Sequence, residues 1–489
     1  LWLNQILRRN AVRRPDAIAL ADVRREVTWR DFEREVSALA ASLKTKAAPG
    51  DRVAMVSDNR LEMIEAYFAC AAAGVVAVPV NPALADPEIE YILGSVDPAA
   101  AVGDETGRRR LAAVRPGLPV IALDEPFGEA APVAANADTS VPVAILHTSA
   151  TTGKPKGVVV DERSFQANAL SWLADVGVPD GTVFLNACPL FHGSMVIALD
   201  YLAAGTTVYV LDKFTPQGCL RALEARRVTH AFLVPSMVRL LLDCRGLADT
   251  DLGTLRLLLH GAAPMPDALA AEATARLGVA LQTIYGITEG GGPVVTLRPD
   301  DKPGQPPSPG AVCAGTPMLG TAVRIEGAAG PGEIGEIQLA GDGLMHGYWG
   351  NEAATAEVLD GGWLNTRDLG CFDEEGHLWI VDRRNDLILR GGQNVYPAEI
   401  EHVLRQADWV ADVAVVPAAS ETWGQTPVAF VAPLPGREFD EAGLIGLCVR
   451  GLAGYKRPSR FIPITEIPRS AAGKILRPRL RAAAEGDLK

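Results

Sequence analysis

His147-Thr-Ser-Ala-Thr-Thr-Gly-Lys-Pro-Lys-Gly-Val158 is the stretch whose reading decides the fold. An apolar run, Val141 to Leu146, precedes it and reads as a buried strand. Thr148, Ser149, Thr151 and Thr152 supply hydroxyls, Gly153 and Gly157 permit a tight turn, and Lys154 and Lys156 add positive charge. Hydroxyls and backbone N–H groups in such a turn make an anion-binding concavity, and the lysines supply charge that phosphate can use. The spacing is not that of a Walker loop, because no Gly-x4-Gly-Lys-Ser/Thr occurs here. Taken alone, the stretch also reads as a solvated Ser/Thr/Gly linker.

Working outward, the strand belongs to a long alternation. Thr28-Trp-Arg-Asp31 is a capping box that opens a helix whose core face carries Phe32, Val36, Leu39, Ala40 and Leu43. Val53 to Ser57 is a strand, Leu61, Ile64, Phe68 and Ala71 mark a helix, and Val75 to Val80 is a strand again. Asp86-Pro87 offers an N-cap followed by proline at the first helical position. Further strands near 182–187, 207–211, 229–234, 255–260 and 280–284 alternate with helical patterns. Such order predicts an α/β fold with parallel-rich sheets covered by helices, and loops after the strand C-termini on one face. Short apolar segments follow the Pro-rich stretch Asp300 to Pro309, and predict a small β subdomain at about 311–381. From Asn385 the pattern changes again, to a compact α+β unit.

Composition narrows the class. The chain has 489 residues, 48% of them hydrophobic, enough for a large core in two or three domains. A net charge of −13 with no Lys/Arg block argues against nucleic-acid binding. The seven cysteines are scattered without Cys-x-x-Cys, as expected of buried, reduced thiols. The run from Ala66 to Ala85 is broken by Gly74, Pro79, Asn81 and Pro82, and is too interrupted to span a bilayer. No signal-peptide pattern opens the sequence. A cytoplasmic enzyme is the expectation.

Further motifs sit where strands end. They are His260-Gly261-Ala262-Ala263-Pro264 and Tyr285-Gly286-Ile-Thr288-Glu289, and Trp363-Leu-Asn-Thr-Arg-Asp368 follows later in the chain. Asp382-Arg383-Arg-Asn385 leads into Arg390-Gly391-Gly392-Gln-Asn-Val-Tyr-Pro397. Pro189-Leu-Phe-His192 and Pro468-Arg-Ser-Ala-Ala-Gly-Lys474 complete the set. Singly, each has an ordinary alternative: a turn, a solvated aspartate, a structural histidine or an exposed lysine. Together, and in this order, they resemble the adenylate-forming superfamily over essentially the whole chain. That family includes acyl-CoA synthetases, peptide-synthetase adenylation domains and luciferases. Its phosphate loop reads Thr-Ser-Gly-Thr-Thr-Gly-x-Pro-Lys-Gly, and this chain departs from it at Ala150, which stands where the family has glycine.

The resemblance implies a large domain over 1–384, a hinge at Asn385 and a small mobile domain over 386–489. It implies that Thr148 to Lys154, Ala150 included, with Lys156 hold ATP phosphates, and that Gly261 to Pro264, Tyr285 and Gly286 hold adenine. Asp368 would accept from the ribose hydroxyls and Arg383 would support the nucleotide. Thr288 would touch the α-phosphate, and Glu289 would hold Mg²⁺, as a hard oxygen ligand suits it. Lys474 would be the catalytic lysine of adenylation, and His192 would line the carboxylate end of the acyl pocket. Gly391 and Gly392 would flank the pantetheine path. Asn385 replaces the family's usual Lys or Asp, which keeps a flexible hinge plausible but not gating by charge.

The implied reaction makes an acyl-adenylate and then a CoA thioester, with ATP or AMP, Mg²⁺ and coenzyme A as cofactors. Expected partners are a small carboxylic acid and CoA. A second copy of the chain and an enzyme supplying acyl-adenylate are further candidates. Three other readings stay open: an enzyme that only transfers a preformed adenylate to CoA, a stand-alone enzyme loading a carrier protein, and a non-catalytic nucleotide-binding protein. Gly290, Gly291 and Gly292 suggest room for a bulky acyl group.

Overall fold

The computed structural model describes residues 2–128, 130, 141–148, 155–383, 386–390, 393–420, 422–470 and 473–486. Arg52–Val56 shows how the architecture is built. Val53 and Met55 point into one apolar cluster, whereas Ala54 and Val56 point into another on the opposite face. Both faces of the strand are buried because side chains alternate along it. The sheet around it contains Gly347–Tyr348, Gly157–Asp161, Pro142–His147, Val76–Val80, Arg52–Val56, Ala100–Gly103 and Val120–Ala122, in that order.

The second sheet carries the predicted parallel series. Ile18–Ala21, Thr207–Val210, Val183–Asn186, His230–Phe232, Leu257–Gly261 and Ala280–Ile287 lie side by side, all parallel. Parallel neighbours require crossovers. Here these are the helices Gly193–Ala203, Pro216–Ala225, Pro235–Leu242 and Asp267–Leu277. After Ala280–Ile287 the sheet turns antiparallel, through Gly292–Leu297 and Val312–Pro317. It continues through Leu378–Arg383, Trp363–Phe372, Gly335–Gly341 and Thr321–Ile325. The short strands expected as a β subdomain therefore extend the second sheet itself.

Between the two sheets lie the helices Trp29–Lys44, Leu61–Ala73, Glu162–Asp175 and Gly193–Ala203, sharing one core with the inner faces of both. Leu61–Ala73 is apolar nearly all round because it meets a neighbour on every side. Tyr201 stacks on Phe184 at 4.1 Å between ring centroids, and its hydroxyl shares a 2.9 Å hydrogen bond with His230 Nδ1. The outer faces are covered by Pro216–Ala225, Pro235–Leu242 and Asp267–Leu277 on one sheet, and by Asp86–Val96 and Glu105–Val114 on the other.

Local signals behave as their chemistry dictates, with one shift. Thr28 is the N-cap of Trp29–Lys44, and its Oγ1 accepts from the Asp31 N–H at 3.1 Å. Asp86, expected as a cap, is instead the first helical residue. Ala85 is the N-cap, and the Glu88 carboxylate accepts from the Ala85 N–H at 2.8 Å. The acid three residues into the helix does the capping, so the helix starts one residue early. All seven cysteines are free and buried. Among the described residues, no helix is long and apolar enough to cross a membrane.

The C-terminal domain has its own sheet: Gln393–Val395, Ile388–Arg390, Gly424–Pro433 and Val410–Ser420, with Arg460–Pro463 parallel to Gly424–Pro433. Pro397–Leu404 and Glu441–Gly451 cover one face, and Arg477–Gly486 the other. It meets the large domain at Gly310 (φ +83°), where an added Cβ would sit 2.4 Å from the Ala398 carbonyl oxygen. Beside it, Asp382 Oδ2 accepts from the Ala398 N–H at 3.1 Å.

Candidate functional site

The phosphate-loop candidate is closed at its neck. Pro142–His147 leads in and Gly157–Asp161 leads out as an antiparallel pair. Thr148 N–H donates to the Lys156 carbonyl at 3.0 Å, and Thr148 Oγ1 accepts from the Lys156 N–H at 3.4 Å. Ser149, Ala150, Thr151, Thr152, Gly153 and Lys154 lie outside the described residues. So do Asn385, Gly391 and Gly392, while Arg383 is described only as the last residue of its strand, opposite Asp368.

The predicted adenosine side comes together at the ends of adjacent strands. Gly261 closes Leu257–Gly261, followed by Ala262 at φ +63° and then Ala263 and Pro264. Tyr285 and Gly286 lie on the neighbouring strand, and the Tyr285 hydroxyl donates to Asp368 Oδ2 at 2.6 Å. Gly286 is obligatory: an added Cβ would meet the Gly292 carbonyl oxygen at 2.3 Å. Asp368 is only 3% exposed. The preceding residue, Arg367, is left-handed at φ +62°, and its N–H donates to Glu336 Oε1 at 3.0 Å. Two non-glycine residues in the left-handed region thus flank this pair, a conformation that costs energy and persists only where neighbours enforce it.

Thr288 and Glu289 begin the short turn after Tyr285. The Glu289 carbonyl accepts from the Met345 N–H at 2.9 Å, and its Oε1 accepts from the Tyr348 hydroxyl at 2.8 Å. No group of three or more metal-ligating side chains exists among the described residues. One carboxylate without a full protein cage fits Mg²⁺, which keeps several waters and takes its remaining ligands from phosphate. The glycines at 290–292 do not open space. An added Cβ at Gly291 would lie 2.0 Å from the Gly343 carbonyl oxygen, and one at Gly292 3.2 Å from Val196. Close backbone packing is what these glycines permit.

His192 caps Gly193–Ala203 without a side-chain capping bond. Its turn is pinned by Asn59, whose Oδ1 accepts from the Leu190 N–H and whose Nδ2 donates to the Cys188 carbonyl, both at 2.9 Å. Burial, and then the charge of Lys474, push the His192 pKa down to about 4, so the ring is neutral at pH 7. Lys474 therefore lies within electrostatic reach of this turn. It sits on a tight hairpin in which Ser470 N–H donates to the Lys474 carbonyl at 2.7 Å. Arg469 fixes the hairpin base through Asp412 at 2.6 Å and the Gly473 carbonyl at 2.8 Å. An added Cβ at Gly473 would touch Val234 at 3.6 Å and Ser236 at 3.7 Å, so Gly473 rests on the large domain. Cys188 is no nucleophile, because burial pushes its thiol up to about 12.

Sequence reasoning missed Asn59, Glu336, Asp412 and Tyr348. Each acts through a partner far away in the chain, and none lies in a pattern with chemistry of its own.

Known proteins resemble this chain in sequence and fold. The sequence model of the AMP-binding enzyme family matches residues 7–349, and that of the AMP-binding enzyme C-terminal domain matches residues 399–474. The fatty acid–acyl-carrier-protein ligase ScoC of Streptomyces coeruleorubidus is 38% identical over 488 residues, covering 95% of this chain and 92% of the relative. A feruloyl-CoA synthase of an Amycolatopsis species is 34% identical, covering 97% of each chain. The o-succinylbenzoate CoA synthetase of Bacillus subtilis, solved with its acyl-adenylate intermediate, superposes with a TM-score of 0.87 at 30% identity, covering 98% of each chain. The same enzyme solved with ATP and magnesium gives 0.85 at 30% identity, covering 97% of this chain and 99% of that one. With matches spanning both domains, the chain belongs to the AMP-binding enzyme family, within the adenylate-forming superfamily.

Proposed function

We propose that the protein activates a carboxylic acid with ATP and passes the acyl group to coenzyme A. A carboxylate oxygen attacks the α-phosphorus and pyrophosphate leaves. The CoA thiol then attacks the acyl carbon, AMP leaves, and the thiol proton is released. Asp368 holds the ribose, Tyr285 packs on adenine, and Thr288 donates to the α-phosphate. Magnesium, when bound beside Glu289, supplies charge for the pyrophosphate leaving group. Thr148, Lys156 and the loop between them position the phosphates. Lys474 stabilises charge passing from carboxylate to phosphate, a task for a fixed point cation.

The observation that carries this reading is the seating of the Lys474 hairpin on the large domain, where a Cβ at the adjoining Gly473 would meet Val234 at 3.6 Å and Ser236 at 3.7 Å. Adenylation needs this lysine at the acyl end of the site. Thioester formation then calls for a turn of the domain beyond residue 385, which removes the lysine and brings Gly391 and Gly392 to the thiol. Separate assays of AMP, pyrophosphate and acyl-CoA, with and without supplied acyl-adenylate, test the sequence of steps. Acyl-CoA made without AMP release would refute it.

A second acceptor is favoured by one observation. The 38% identical relative is named for loading an acyl-carrier protein. A phosphopantetheinylated carrier accepting the acyl group faster than CoA would establish that version.

Ala150 bears on the first half-reaction. Glycine in a phosphate loop admits positive φ and close approach to phosphate oxygens. Were that position left-handed, alanine would cost about 1–2 kcal/mol there, and a methyl group at the phosphates would crowd them. We infer weak ATP-dependent adenylation together with competent transfer from acyl-adenylate, which has already lost the β- and γ-phosphates.

A further inference from the structure

We propose that Tyr348 is a positioning residue that couples the metal-side carboxylate Glu289 to the phosphate-loop lysine Lys156. This rests on the nucleotide reading above, in which Glu289 serves magnesium and Lys156 serves phosphate.

Tyr348 lies in a two-residue strand, Gly347–Tyr348, at the edge of the sheet that carries the phosphate loop. It pairs antiparallel with the strand leaving that loop, Tyr348 opposite Val158 and Gly347 opposite Val159. The residue is 8% exposed. Its hydroxyl donates to Glu289 Oε1 at 2.8 Å, and Glu289 belongs to the other large sheet's end turn. Lys156 Nζ stands over the ring face, 4.8 Å from its centroid, within the range of a cation–π contact. One side chain thus touches a carboxylate through its edge and an ammonium through its face.

The residue itself is held from both sides. Its N–H donates to Thr355 Oγ1 at 2.9 Å, and its carbonyl accepts from the Asn351 N–H at 3.1 Å. Three residues earlier, the Met345 N–H donates to the Glu289 carbonyl at 2.9 Å. Met345 to Tyr348 therefore fastens the Glu289 turn at backbone and side chain while forming the edge strand beside the phosphate loop. A ligand bearing both magnesium and a phosphate chain needs these two parts at a fixed separation. Groups locked before the ligand arrives need no reordering when it binds.

The hydroxyl and the ring make separable predictions. Tyr348→Phe keeps the ring under Lys156 and removes only the donor to Glu289. Tyr348→Leu removes both. Calorimetry would compare ATP affinity with and without Mg²⁺, and AMP affinity, in the parent protein and both variants. In Tyr348→Phe the gain in ATP affinity that Mg²⁺ confers is expected to fall at least about tenfold, the scale of one hydrogen bond to a charged group. AMP, which uses neither group, should bind within about twofold of the parent, also reporting an intact fold. Tyr348→Leu should additionally weaken Mg²⁺-free ATP.

An undiminished Mg²⁺ gain in Tyr348→Phe overturns the proposal. So does a loss of AMP affinity in step with ATP, the mark of a merely structural residue. A parent with no Mg²⁺ gain at all overturns it as well. A parent that binds Mg·ATP with the expected gain, yet makes no acyl-adenylate from any acid, would instead sink the functional reading and leave the Tyr348 assignment standing.

Discussion

The two halves of the site are assembled in different ways. The predicted adenosine side lies inside one continuous sheet. Tyr285 and Asp368 are joined by a 2.6 Å hydrogen bond, and Ala262 and Arg367 hold left-handed backbone beside them. The lysine side is brought together from separate pieces. Lys474 stands on a hairpin of the C-terminal domain that rests on Val234 and Ser236 and is steadied by Arg469 and Asp412. One half is fixed as the large domain folds, at a cost in strained backbone. The other joins residues of two domains across a contact surface at Gly473, Val234 and Ser236.

That contrast sets where substitutions should act. The largest effect is expected at Lys474. Lys474→Ala should slow adenylation by about 10²–10³-fold, as when a group that stabilises transition-state charge is removed. Conversion of supplied acyl-adenylate to thioester should barely change. Equal damage to both half-reactions would show that the lysine stays at the acyl carbon throughout.

Next comes Ala150→Gly, which should raise carboxylate-dependent pyrophosphate release by up to about a hundredfold, the scale of small misplacements in a reacting geometry. Vigorous adenylation by the parent, with no gain in the variant, ends that idea. On the adenosine side the loss is one of binding. Asp368→Ala should weaken AMP and acyl-adenylate alike by about 1.5–3 kcal/mol, the range for hydrogen bonds to a charged group. Unchanged adenylate affinity in calorimetry would remove the ribose role.

The smallest effect at neutral pH concerns histidine. Burial holds His147, His192, His230 and His260 at a pKa of about 4, against an ordinary value of 6.5. The unfolded chain takes up protons near pH 6.5 and the native protein only near 4. Their contribution to stability is therefore complete above about pH 6.5 and declines as pH falls toward 4. Only His192 also feels Lys474. In Lys474→Ala, an NMR titration should show His192 moving upward while His260 stays in place. A stationary His192 would mean that the hairpin does not sit there in solution.

Much of this was legible from residue order. The parallel series was readable because strands buried on both faces must be apolar throughout and must be separated by helices. Thr28 and Asp31 announced a helix start through local chemistry alone. The Asp86 cap was misplaced by one residue because Glu88 reaches back to the Ala85 N–H, while the Asp86 carboxylate pairs with Arg110. What escaped was set at long range. Nothing near Gly291 says that the Gly343 carbonyl will fill the space of its absent side chain, so a packing glycine looked like an open pocket. Tyr348 and Glu336 gain their roles only when strands distant in sequence pair. The sheet extension from Val312 onward escaped for the same reason, since antiparallel partners can be drawn from anywhere in the chain.

Gly310 carries a last consequence. Its bare α-carbon lets the Ala398 carbonyl approach where any side chain would collide. If the C-terminal domain turns as proposed, this contact weights one orientation against the other, and a bias of about 1.4 kcal/mol changes their ratio tenfold. A single methyl group here would then redistribute the protein between two working poses while touching neither nucleotide nor acid.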